Sequence, residues 1–158
     1  MNAPDITPFV HRYPDLGTAP VPVEVMTSPA YFELEREKIF KKSWLNVGRV
    51  DDIPERGDYM VKDLAIVQTS LIIVHGSDGR VRALHNVCSH RGNQVAKSCG
   101  NAKGFSCGFH GWTYDTTGAL VFCPDEPQFF NLDKGKLGRV EVNQGVPAGK
   151  QPAGEREA

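Results

Sequence analysis

The sequence predicts an all-β domain preceded by one short helix. Three observations carry this. Gly 16 and Pro 11 make the backbone turn more often than in an average globular chain of 158 residues. Short β-branched and aromatic runs recur between turns built on Gly and Asp, the pattern of antiparallel hairpins. Helical punctuation is clear at one place, Ser28-Pro29, where a hydroxyl cap is followed by proline at the first helical position.

Taken in order, residues 1–27 hold Pro4, Pro8, Pro14, Pro20 and Pro22 without periodicity and are expected to form an extended arm. A helix is expected over residues 28–42, with Phe32, Ile39 and Phe40 on one packed stripe. Its charges run from Glu33, Glu35 and Glu37 to Lys38, Lys41 and Lys42, the order the helix dipole favours. Trp44–Gly48 is strand-like. A second run starts at Gly57-Asp58-Tyr59, continues through Leu64–Val67 and resumes at Leu71–Val74. The turn Gly76–Gly79 then leads into Val81–Leu84. A further hairpin is expected from Trp112–Tyr114, the turn Asp115–Gly118 and Ala119–Phe122. Pattern is lost after Asn143, and residues 146–158 are expected to be a disordered tail.

Eighteen basic and nineteen acidic residues give a net charge of −1, which argues against nucleic acid or an anionic membrane as partner. The apolar runs Leu64–Val67 and Leu71–Val74 are far too short to span a bilayer. Met1–Asp5 lacks the features of a secretory signal, so the expected compartment is the cytoplasm, with the four cysteines reduced or bound to metal.

Two clusters carry the chemistry: Cys88-Ser89-His90 and Cys107-Gly108-Phe109-His110, each followed by glycine within two residues. In a chain with 4 Cys and 5 His, either spacing arises by chance only about 0.1 times, so the pair is a specific signal. Glycine after each cluster lets the backbone turn tightly and aim its N–H groups at sulfur. The donor set of two thiolates and two imidazoles admits a tetrahedral zinc ion. It also admits a Rieske 2Fe–2S centre, with two Cys on one iron and two His on the other. Interleaved Cys and His, one of each per loop, suits the two-iron division, because common zinc modules pair like with like.

Cys88-Ser89-His90-Arg91-Gly92 followed by Cys107-Gly108-Phe109-His110-Gly111-Trp112-Thr113-Tyr114 resembles the Rieske motif of aromatic-ring-hydroxylating oxygenases, large (alpha) subunit. The resemblance covers about residues 28–145. It implies a Rieske-type antiparallel β-sandwich with two cluster-binding loops over that span, and a 2Fe–2S cluster held by Cys88, His90, Cys107 and His110. It also implies electron supply by a ferredoxin or reductase and hydroxylation of an aromatic substrate with O₂. Family members continue into a larger domain that holds a mononuclear Fe(II) on two His and a carboxylate. No histidine follows His110 here, and His11, His75 and His85 precede the motif. The mononuclear iron is therefore expected in a missing domain or a partner. The chain is expected to be a fragment, a truncated frame or an N-terminal module, moving electrons without hydroxylating. A free-standing Rieske electron carrier and a zinc-stabilised binding module are the competing functions.

Other candidates are read conservatively. Cys99 and Cys123 are expected to be free thiols, His75 exposed, His85 a strand histidine and His11 part of the arm. Arg91 either docks an acidic partner or neighbouring subunit, or bonds a nearby carbonyl. Trp112 and Tyr114 alternate on a strand and are expected to pack on the same side, beside the centre.

Overall fold

The computed structural model describes Asp15, Pro20 and residues 22–139 and 141–142. It divides into two units, Met1–Lys42 and Ser43–Ala158, considered separately below. The expected tail, residues 146–158, lies outside the described residues, as does most of the expected arm.

In the first unit, α1 (Val23–Thr27) is a single helical turn inside the segment read as an arm, and Thr27 Oγ1 donates to Val23 O (3.2 Å). One turn is too short to register as periodicity. α2 (Pro29–Lys38) starts as its punctuation demands, with Ser28 Oγ accepting from the Tyr31 N–H at 3.3 Å. It ends four residues sooner than expected, and Phe40–Lys42 form a 3₁₀ turn instead. The expected packed stripe is not buried: Phe32 and Ile39 are exposed. Arg36 is the buried residue of α2, with its guanidinium over the Phe32 ring and bonded to Glu33.

The second unit is the all-β body. β1 (Asp58–Leu64), β2 (Thr69–His75) and β3 (Val81–His85) form an antiparallel meander. With β4 (Gly100–Asn101) on the free edge of β1, they make a sheet of order β3-β2-β1-β4. β5 (Gly104–Ser106), β6 (Thr113–Asp115) and β7 (Leu120–Phe122) make a second antiparallel sheet. Leu71 to His75 of β2 are buried without alternation, as expected for a strand covered on both faces. Ile72 and Val74 pack with Leu84 and Phe105, while Leu71 and Ile73 pack with Ile53 and Ala83. Tyr59 of β1 meets Phe105 of β5 edge to face at 5.0 Å, tying the two sheets together.

Three local expectations change. Trp44–Gly48 joins no sheet; there Asn46 Oδ1 accepts from the Gly48 N–H (3.0 Å), a local bond of the kind that competes with ladder pairing. The strand run breaks at Leu64, where Ala65–Val67 form a 3₁₀ turn and Gln68 is left-handed at φ 52°. His75 is buried, with Nδ1 3.1 Å from Ile53 O, because it is the last β2 residue and its ring is enclosed by the segment before β1. The two expected hairpin turns are present. At the second, Asp115 Oδ1 accepts from the N–H groups of Thr117 (2.8 Å) and Ala119 (3.0 Å). Among the described residues no helix is long and apolar enough to cross a membrane.

Candidate metal centre

Two loops leave the sheets toward the same end of the second unit, and their backbones close in the same way. In the first, the Gly92 N–H donates to Cys88 O (2.8 Å) and the Cys88 N–H to Asn93 O (2.7 Å). In the second, the Gly111 N–H donates to Cys107 O (2.9 Å) and the Cys107 N–H to Trp112 O (2.8 Å). Each loop is thus one turn begun by a cysteine and closed by a glycine at positive φ, 73° at Gly92 and 71° at Gly111. A side chain at either glycine would strain that closure.

These turns bring the four chemistry-bearing side chains to one place. Cys88 and Cys107 are both free thiols buried in one core with Trp112, Tyr114, Leu120 and Cys123. The His90 and His110 rings meet with centroids 4.6 Å apart. His90 also lies flat on the indole of Trp112, and Phe129 sits edge-on to both rings. His90 Nδ1 is buried and has no hydrogen-bond partner. A buried imidazole nitrogen without a partner is costly in a polypeptide alone and is satisfied when it donates its lone pair to a metal.

The electrostatics suit metal-binding forms of these groups. Burial would raise the Cys107 thiol pKa, but the N–H groups of Phe109 and His110, the Asn93 amide and the Cys88 thiol hold it below its ordinary value. Asn93 Nδ2 reaches Cys107 Sγ at 3.7 Å. Burial lowers the His90 pKa, helped by the neighbouring His110 and Arg91, so the neutral imidazole is favoured. A two-iron cluster asks for only two protein donors per iron, which matches a thiol pair beside an imidazole pair.

Several supporting residues make contacts that no local sequence signal marks. Asn86 is buried at the root of the first loop; its Oδ1 accepts from the Val95 and Ala96 N–H groups (3.0 Å each), and its Nδ2 donates to Ala96 O (2.7 Å) and Ser70 Oγ (3.1 Å). Four bonds from one side chain fix where the loop returns to the body. Tyr114, fully buried, places its Oη 3.3 Å from Cys88 Sγ and 2.8 Å from Ser89 Oγ, and accepts from the Ser89 N–H at 3.0 Å. Ser89 Oγ in turn donates to Leu137 O (2.7 Å). Trp112 and Tyr114 do pack in the same core, beside the thiols.

The remaining candidates sort out plainly. Cys99 is an exposed free thiol and Cys123 a buried one whose pKa burial raises. His85 is a half-buried strand histidine with Nδ1 3.2 Å from Thr69 Oγ1. Arg91 is exposed beside His90, and His11 lies outside the described residues.

Comparison with known proteins agrees with this geometry. Residues 43–142 match the model of the Rieske [2Fe-2S] domain. The chain is 38% identical over 138 residues to the biphenyl 2,3-dioxygenase subunit alpha of Rhodococcus jostii (strain RHA1), covering 84% of this chain and 30% of that protein. It is 37% identical over 131 residues to the glycine betaine monooxygenase oxygenase subunit of Chromohalobacter salexigens, covering 80% and 28%. The naphthalene 1,2-dioxygenase of Rhodococcus sp., solved with indole bound, superposes with a TM-score of 0.74 at 34% identity, covering 84% of this chain and 30% of that one. The chain thus spans less than a third of the length of these relatives. With a family match across the whole β body and two loops that gather two thiols and two imidazoles, the chain belongs to the Rieske [2Fe-2S] domain family, and its cofactor is a 2Fe–2S cluster.

Proposed function

We propose that this chain is the electron-transfer part of a ring-hydroxylating oxygenase alpha subunit, with Cys88 and Cys107 on one iron and His90 and His110 on the other. The observation that carries the proposal is the unpartnered, buried Nδ1 of His90 beside a second imidazole and a pair of buried thiols. When bound, the cluster supplies a site that takes up and gives back one electron. The protein's own part is to hold that site. The two glycine-closed turns set the donor spacing, the Phe109 and His110 N–H groups and the Asn93 amide bear on Cys107 sulfur, and Trp112 fixes the plane of His90.

A ferredoxin or reductase is the proposed electron source, and a mononuclear-iron domain in a longer polypeptide or a partner subunit the recipient. The relatives include proteins named for biphenyl and for glycine betaine, which differ widely in chemistry. Substrate choice is therefore assigned to the region outside the matched span, and the aromatic substrate class to the alpha-subunit resemblance. Cytoplasmic location belongs to the same proposal. Anaerobic reconstitution followed by iron and acid-labile sulfide assay tests the cluster, and stopped-flow reduction by a reduced ferredoxin tests the role. A loaded chain that exchanges electrons rapidly but elicits no substrate-dependent oxygen uptake with any oxygenase catalytic domain would favour the free-standing carrier.

A further inference from the structure

Arg139 is buried against the Tyr114 ring, yet nothing so far uses its charge. One of its terminal nitrogens, Nη2, donates to His85 O. Its guanidinium carbon lies 5.2 Å from the centroid of the Tyr114 ring, the same ring whose hydroxyl faces Cys88 Sγ. Its Nε and Nη1 are buried with no hydrogen-bond partner. Placing a cation there is costly for the polypeptide alone. Burial pushes its pKa down to about 10, and the groups that draw it back toward the charged form are Tyr114, Cys88 and Cys107. Arginine keeps its proton even so at neutral pH. The negative charge available to this buried cation is that of the two thiols once ionised, Cys88 and Cys107, and no carboxylate is among the groups that draw it.

We propose that Arg139 is the fixed internal counter-charge of the 2Fe–2S cluster, favouring its reduced state across the Tyr114 ring, whose hydroxyl faces Cys88 Sγ. The inference rests on the ligand reading above. Two ferric ions, two sulfides, two thiolates and two neutral imidazoles sum to no net charge. One electron, given up by a one-electron donor that is itself oxidised by one, leaves a single negative charge, with no bond made or broken. A buried cation opposite that charge stabilises the reduced form, and bulk salt screens it little.

The test is a redox titration of the full chain, reconstituted anaerobically, for the wild type, Arg139→Lys and Arg139→Gln. Arg139→Gln is expected to keep the wild-type visible spectrum while its redox equilibrium moves toward the oxidised form at least tenfold, about 59 mV for one electron. Arg139→Lys keeps the charge and is expected to move less than threefold. A Gln variant within threefold of wild type overturns the proposal, and so does an equal shift in both variants, which would mark packing instead of charge. Should the Gln variant fail to hold the cluster, redox-difference infrared spectra of wild type carrying ¹⁵N-labelled arginine decide, with Arg139→Lys as the assignment control. An Arg139 band that moves on reduction supports the proposal, and its absence overturns it. A wild-type chain that takes up no iron at all is a different result: it removes the ligand reading, and this inference falls with it.

Discussion

His90 lies flat on Trp112, with ring centroids 4.9 Å apart and planes 8° from parallel. The indole comes from the residue that follows the closing glycine of the second turn, the imidazole from the first turn, so this stack ties the two loops to each other. It also holds the His90 ring in one plane while Nδ1 remains buried and unpartnered. Preorganisation of this kind keeps a donor aimed before any metal arrives.

Trp112→Ala should cost about 3 kcal/mol of stability, as truncation of a buried aromatic does, and should lower iron retained per chain after desalting. Trp112→Phe keeps a ring beneath His90 and should lose less of both. Chemical denaturation and iron assay on the same samples check this. Equal iron retention in wild type and Trp112→Ala would show that the stack does not hold the donor.

Asn86→Ala removes the four bonds that pin the return of the first loop. Buried N–H groups of Val95 and Ala96 would then lack acceptors, at a cost of about 2–3 kcal/mol. Hydrogen exchange should accelerate at Val95 and Ala96 more than in β2. Uniform acceleration across both sites would indicate global destabilisation alone.

Much of this arrangement was readable from residue order, and the missing parts have a common cause. Cys88, His90, Cys107 and His110 announce themselves by spacing, and Gly92 and Gly111 by the need for positive φ. Hairpin turns such as Asp115–Gly118 are equally local in origin. Asn86, Tyr114 and Arg139 act through partners that are distant in sequence, such as Tyr114 on Ser89 and Arg139 on His85. No window of sequence contains both members of those pairs. The burial of His75 has the same origin, since its partner Ile53 lies across the fold. Trp44–Gly48 has strand composition, yet the Gly48 N–H bonds to Asn46 Oδ1 instead of to a ladder partner.

Tyr114→Phe deletes the hydroxyl that faces Cys88 Sγ and Ser89. It should lower stability by about 1–2 kcal/mol, because the Ser89 N–H loses its acceptor. It should also lower the midpoint potential, since hydrogen bonds to sulfur favour the more negative state. Voltammetry that finds the potential unchanged or raised would reject this role for the phenol.

Asp78 and Arg82 pin the turn between β2 and β3, with paired contacts of 2.9 and 2.8 Å from a buried guanidinium. The Arg82 guanidinium holds the Asp78 carboxyl well below the ordinary carboxylate range. A depressed folded-state pKa means the stabilisation is present above the unfolded value, about 3.9, and is lost as pH falls through the lower folded value. Asp78→Asn should therefore cost about 1–2 kcal/mol at pH 7, a figure kept modest because the carboxylate is partly exposed. The gap between variant and wild type should narrow below pH 4. A gap that is constant from pH 7 to pH 2 would contradict the assignment.

The most direct test of the ligand arrangement is pulsed EPR on the reduced, reconstituted chain carrying ¹⁵N-labelled histidine, paired with metal and sulfide assay. Two irons and two sulfides per chain are expected, with nitrogen coupling from two imidazoles that falls to one in either His90→Cys or His110→Cys. A single bound zinc, or a two-iron cluster whose spectrum carries no histidine nitrogen coupling, would contradict the account.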